Sequence, residues 1–214
     1  IEDGEKVAKR RSGRTGGLPH VGIGWYRKTL DIPASWKGKR IFAEFDGAMS
    51  HALVYLNGEF IGEWSYGYAS FGFELTEKIA FGGKNLLAVR LENKPNSSRW
   101  YPGAGLYRNV RLVATNHVFV KQWGTYITTP DIEKGNGSVK IETSLEGFKE
   151  GSKNIKLTTN IYNANDRLVA SVKNPVDGKE MMQQLKVDQP HLWSVSDPYL
   201  YRAESVVEVD GKKT

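Results

Sequence analysis

Hydrophobic and polar residues alternate with a period of two over much of this chain, the pattern of strands that bury one face and expose the other. Ile41, Ala43 and Phe45 interleave with Phe42 and Glu44, and Val139, Ile141, Thr143 and Leu145 interleave with Lys140, Glu142 and Ser144. Ile155, Leu157, Thr159 and Ile161 repeat the pattern, as do Leu168, Ala170 and Val172 and then Leu185 and Val187. No stretch sustains a helical period. Asn57-Gly58, Gly82-Gly83, Asp177-Gly178 and Asp210-Gly211 separate these runs with residues that accept the positive φ of tight turns. Short strands between recurring turns predict an all-β protein built of one or two sandwiches.

Length decides for two. A chain of 214 residues can fill two cores of about 100 residues each. The boundary is expected near Ala114-Thr115-Asn116-His117, after a strand over Asn109 to Val113 and before Val118-Phe119-Val120. With no Pro- or Ser-rich linker there, the domains are expected to be residues 1–116 and 117–214 and to abut. Trp25 and Tyr26 are expected to anchor the first complete strand in the core, and Trp193 to pack the end of the second sandwich. The chain opens on Ile1 and closes just beyond Asp210-Gly211, a hairpin signal whose return strand is expected to be missing, so it reads as a fragment.

The segment from Arg99 to Arg108, Arg-Trp-Tyr-Pro-Gly-Ala-Gly-Leu-Tyr-Arg, joins aromatics and arginines to a Pro-Gly-x-Gly loop. Trp and Tyr offer flat apolar faces for the C–H faces of a pyranose. An Arg fork gives hydroxyl or carboxylate oxygens directional hydrogen bonds. The same residues also suit a hairpin whose aromatics plug a sandwich edge, and composition alone leaves both readings open.

Other ordered pieces break the tie. Gly24-Trp25-Tyr26-Arg27-Lys28-Thr29-Leu30, Phe45-Asp46-Gly47-Ala48-Met49, Val54 to Gly62, Asn85 to Asn93 and Leu192 to Tyr201 follow one another with a spacing that resembles the front end of glycoside hydrolase family 2. That family contains β-galactosidases, β-glucuronidases and β-mannosidases. The resemblance implies a jelly-roll sugar-binding domain followed by an immunoglobulin-like sandwich, truncated at both ends. It also implies a carbohydrate substrate and a C-terminal (β/α)₈ barrel that carries both catalytic glutamates. A periplasmic or extracellular location follows from resemblance to polysaccharide-degrading relatives. In the galactosidase and glucuronidase branches a loop ahead of the Gly-aromatic-aromatic-Arg element offers the sugar an aspartate. Counting back from Gly105-Leu106-Tyr107-Arg108 without a gap, Arg99 takes that place. Arg99, Trp100 and Tyr101 are therefore the expected substrate-binding residues, and a donor-only Arg favours an anionic or sulfated sugar. Arg108, at the start of the next strand, is expected to be structural.

The remaining features narrow the chemistry. Glycoside hydrolysis needs two carboxylates facing one bond, and no pair here presents itself: Glu44 and Asp46 read as exposed acids on a half-buried strand. No catalytic residue, cofactor or metal site is expected, the four histidines being scattered at His20, His51, His117 and His191. The absence of cysteine excludes disulfides and thiolate chemistry. The net charge of +6 owes much to Lys6, Lys9, Arg10, Arg11 and Arg14, a Gly-containing run without a reading element, so nucleic acid is not an expected partner. No apolar run approaches the roughly 20 residues that cross a bilayer. The rival readings are a free-standing carbohydrate-binding module, which would need an open row of aromatics, and a structural tandem-sandwich protein, which would lack the Arg and aromatic loop.

Overall fold

The computed structural model describes residues 22–93, 105–133, 135–152 and 154–213. It divides into two compact units, Ile1–Ala114 and Thr115–Thr214. Among the described residues no helix is long and apolar enough to cross a membrane. Apart from one turn of 3₁₀ helix at Ala34–Trp36, the regular elements among the described residues are strands.

Unit 1 is the jelly-roll sandwich. One sheet has the order β1-β7-β4-β5, formed by Gly22–Asp31, Lys84–Asn93, Ala52–Leu56 and Glu59–Trp64. The second has the order β6-β2-β9, formed by Phe71–Glu74, Arg40–Phe45 and Val110–Thr115. A short third pair joins β3 (Ala48–Met49) to β8 (Gly105–Leu106). The period-two pattern of β2 works as expected: Ile41, Ala43 and Phe45 are buried while their neighbours are half-buried. They meet Val54 and Leu56 of β4 and Leu87, Val89 and Leu91 of β7 in one apolar core. Phe45 stacks on Phe71 at 4.7 Å between ring centroids. Asn57 and Gly58, both at positive φ, close the β4–β5 hairpin with the paired left-handed residues that a two-residue loop favours.

Unit 2 is the immunoglobulin-like sandwich. In one sheet β12 (Asn136–Glu146) lies between β10 (Phe119–Thr128) and β15 (Glu180–Asp188), with β11 (Ile132–Glu133) against its start. The other has the order β14-β13-β16-β17, from Leu168–Pro175, Ile155–Tyr162, Arg202–Val209 and Lys212–Lys213. Alternate residues of β12, β13 and β15 fill the space between the sheets, and the core there is partly polar. Gln183, 2% exposed, accepts from Thr159 Oγ1 at 2.6 Å and donates to Leu157 O at 3.1 Å and Asn174 Oδ1 at 2.9 Å. A buried amide is tolerated because its donors and acceptor have partners.

Several expectations change. Trp25 and Tyr26 are not core residues: they are 46% and 42% exposed, on a strand that is the edge of its sheet among the described residues. In β14 a register shift near Leu168 leaves that side chain exposed and half-buries Val169 instead. Asp177-Gly178 does not close a hairpin, since β14 and β15 belong to different sheets. Asp210-Gly211 does, and the return strand begins at Lys212–Lys213 rather than being missing. Trp193, expected to be packed, is 59% exposed.

Candidate carbohydrate site

One end of unit 1 gathers the loops around β3 and β8. Asn93 ends β7 and Gly105 opens β8. Arg99, Trp100 and Tyr101 belong to the segment between them and lie outside the described residues. The described ends of β7 and β8 meet one neighbourhood. Met49 of β3 pairs with Gly105, while next to it Ser50 accepts the Glu92 N–H at 2.8 Å and donates its hydroxyl to Glu92 O at 3.0 Å.

Tyr107 locks the floor. Its hydroxyl donates to Gly67 O at 2.8 Å, and its ring crosses Gly47 so closely that a Cβ there would sit 2.6 Å from the ring. At Gly67 a Cβ would lie 2.7 Å from the Met49 side chain. Glycine at both places is what lets the 65–70 loop settle onto β3. Ser70 adds a hydrogen bond to Asp46 O at 3.2 Å, and Asp46 N–H donates to Asn109 O at 2.9 Å.

On this floor stand exposed rings. Tyr66 is 61% exposed and meets Tyr68 edge to face at 5.8 Å, while Trp64 stacks on Phe71 at 5.6 Å with more than a third of its surface free. The Arg108 guanidinium sits 5.9 Å from the Tyr107 ring centroid with its side chain exposed, so it is presented at the surface rather than built into the core. His51, exposed and at positive φ, borders the same loops, its N–H donating to Ser65 O at 3.3 Å. The arrangement offers aromatic faces and a cation to a polyhydroxylated ligand.

Asp46, beside this end, holds Arg111 at 2.6 Å. Toward the other end of β2, Glu74 forms a two-point pair with Arg40 at 2.9 and 2.6 Å. Glu44 is half-buried on β2. Among the described residues no three His, Asp or Glu side chains gather as a metal-ligand set. Trp64, Tyr66 and Tyr68 were not singled out from the sequence. Their signal was present in Trp64-Ser65-Tyr66-Gly67-Tyr68, which mixes rings and glycine as Trp100-Tyr101-Pro102-Gly103 does.

Comparison with known proteins matches residues 18–116 to the glycosyl hydrolases family 2 sugar binding domain and residues 118–214 to a second glycosyl hydrolases family 2 model. A β-galactosidase of Bacteroides ovatus is 38% identical over 206 residues, covering 93% of this chain and 24% of that protein. A β-glucuronidase of Formosa agariphila is 32% identical, covering 89% of this chain and 22% of that protein. Among solved structures, a glycosyl hydrolase family 2 member from Bacteroides cellulosilyticus superposes with a TM-score of 0.88 at 34% identity, over 95% of this chain and 27% of the other. The chain thus spans about a quarter of the length of these relatives.

Proposed function

Since the chain belongs to family 2 of the glycosyl hydrolases, we propose that it forms the non-catalytic, sugar-facing part of a β-galactosidase-like enzyme that hydrolyses O-glycosidic bonds. The observation that carries this reading is the loop cluster at β3 and β8. There Tyr66, Tyr68 and Arg108 are exposed on a floor fixed by Tyr107.

In this reading the chemistry of bond cleavage belongs to a carboxylate pair on a (β/α)₈ barrel elsewhere in the polypeptide. This chain's residues bind and orient. The rings of Trp100, Tyr101 and Tyr66 take apolar sugar faces and displace water from them, and the Arg99 fork fixes oxygens of the terminal sugar. Relatives named β-galactosidase and β-glucuronidase bracket a neutral and an anionic sugar, and a guanidinium in place of an aspartate inclines the site toward the anionic one.

The test is hydrolysis of nitrophenyl β-galactoside and β-glucuronide by the complete polypeptide from its own reading frame, beside the 214-residue chain. Turnover is expected from the former and none from the latter. Turnover by the 214-residue chain, surviving a mock-purification control, contradicts the assignment of chemistry to another part, and an inactive complete polypeptide contradicts the glycosidase reading.

A further inference from the structure

The β1-β7-β4-β5 sheet buries one face in the core of unit 1, and an antiparallel sheet of this kind ordinarily turns a polar face to water on its other side. Here the other side carries rings. The register sets Trp25 opposite Arg90, and in the neighbouring row Arg27, Ala88, Tyr55 and Phe60 lie side by side across all four strands. Trp25 meets Tyr55 at 5.7 Å between centroids and Tyr55 meets Phe60 at 5.5 Å, so three rings touch in succession from the β1 edge to the β5 edge. Trp25 and Phe60, at the two ends of this row, are 46% and 55% exposed. Contiguous exposed rings of this extent mark a binding surface.

Two guanidinium groups stand among the rings. Arg27 lies 5.3 Å from the Trp25 ring centroid, and Arg90 faces Trp25 across the β1–β7 ladder. Among the described residues neither pairs with a carboxylate. The acids of this face, Glu63 opposite Leu53 and Glu92 opposite Ile23, lie in other rows than Arg27, Tyr55 and Phe60. A guanidinium stacked on a ring keeps its N–H donors free in its own plane, where they suit carboxylate and sulfate oxygens. The rings suit the apolar C–H faces of pyranoses. From β1 to β5 the row covers three strand spacings, about 14 Å, which fits a run of consecutive sugars better than a single one.

We propose that this outer face binds an extended glycan bearing carboxylate or sulfate groups. Trp25, Tyr55 and Phe60 stack on successive sugar rings while Arg27 and Arg90 hold the anionic groups. Charge complementarity and the continuous row of rings select this occupant. The face holds a stretch of polymer, so it stands whether or not Arg99 contacts a terminal sugar.

Isothermal titration calorimetry of the 214-residue chain tests this with an oligomannuronate, a κ-carrageenan oligosaccharide and neutral cellohexaose, the first two separating carboxylate from sulfate recognition. Binding of one or both acidic oligosaccharides is expected, about tenfold tighter than cellohexaose. Trp25→Ala and Phe60→Ala should each weaken it about tenfold, and Arg27→Gln, which keeps every ring, should do the same. Tyr66→Ala, at the β3 and β8 loops, should change little. No binding, or equal affinity for cellohexaose, overturns the proposal. A loss with Tyr66→Ala but not with Trp25→Ala assigns the glycan to the loop cluster and overturns it too. So does a loss with the double variant Lys212→Gln/Lys213→Gln as large as with Arg27→Gln, which makes the binding a diffuse attraction to a basic chain. A dimer that Trp25→Ala dissociates in sedimentation gives the face to a second copy, and a complete polypeptide that fails to bind what the 214-residue chain binds gives it to another part of the polypeptide. Either result has the same consequence.

Discussion

Tyr107 joins two scales of argument in one side chain. Its aromatic ring is legible in the sequence as part of the Gly-Leu-Tyr-Arg element, but its role as a clamp is not, because Gly47, which makes room for the ring, and Gly67, whose carbonyl accepts the hydroxyl, are far away in the chain. Trp25 and Trp193 misled for the converse reason: large aromatics are usually buried, and sequence does not reveal that a strand sits at a sheet edge or that a loop is fixed outward. Ion pairs are equally invisible beforehand, and Glu74 allows one to be tested. Hydrogen bonding from Arg40 holds its carboxyl below the ordinary 4.5, against a smaller opposing effect of burial and with help from Thr76. A carboxylate depressed in the folded state contributes stability that is present above its unfolded value and lost as pH falls through the folded one. Glu74→Gln should therefore melt lower than the parent at pH 7, and the two curves should converge at acid pH below the folded value. A difference that persists unchanged in acid assigns the effect to the lost Thr76 contact or to packing instead.

Elements were the most legible level. β2, β12 and β13 bury the residues that alternation picked out, and Asn57-Gly58 closes the expected hairpin. What alternation could not supply is the pairing between distant strands: Asp177-Gly178 looks like a hairpin and instead crosses between sheets, and the bulge near Leu168 turns that side chain outward while Ala170 and Val172 keep the expected face. Asn85 shows how such elements are joined. It is 1% exposed, accepts from Ala80 N–H at 2.7 Å and from Asn57 Nδ2 at 2.9 Å, and donates to Ala80 O at 2.9 Å. The β4–β5 hairpin, the loop before β7 and β7 itself thus share one amide. Asn85→Ala leaves the Ala80 N–H and C=O without their part-buried side-chain partner, each hydrogen bond being worth about 0.5–1.5 kcal/mol, so a loss of about 1–3 kcal/mol is expected. Urea titration should show a lower midpoint with an unchanged slope. A loss under about 1 kcal/mol means that water replaces the amide.

At the scale of the whole molecule, the ordered pieces from Trp25 to Tyr201 were enough to read an all-β chain of family 2, and both family models match in that order. The proposed carbohydrate site was legible only in part. The Arg99 segment stood out by composition, whereas the exposure of Tyr66 and Tyr68 follows from how the 65–70 loop settles onto β3, which no local pattern reveals. The account stands on the end at β3 and β8 being where sugar is held, and Arg99 reads it most directly. In the complete enzyme, steady-state kinetics of Arg99→Ala and Arg99→Lys should be measured with melting curves of the same samples. A charge-assisted hydrogen bond is worth roughly 1.5–3 kcal/mol, so Arg99→Ala is predicted to lower kcat/KM roughly ten- to a hundredfold with the melting temperature unchanged. Arg99→Lys should recover only part of the loss, since an ammonium cannot reproduce the planar fork. Intact kinetics with a lowered melting temperature would instead make Arg99 a structural ion-pair partner and contradict the sugar site proposed at this end of the jelly roll.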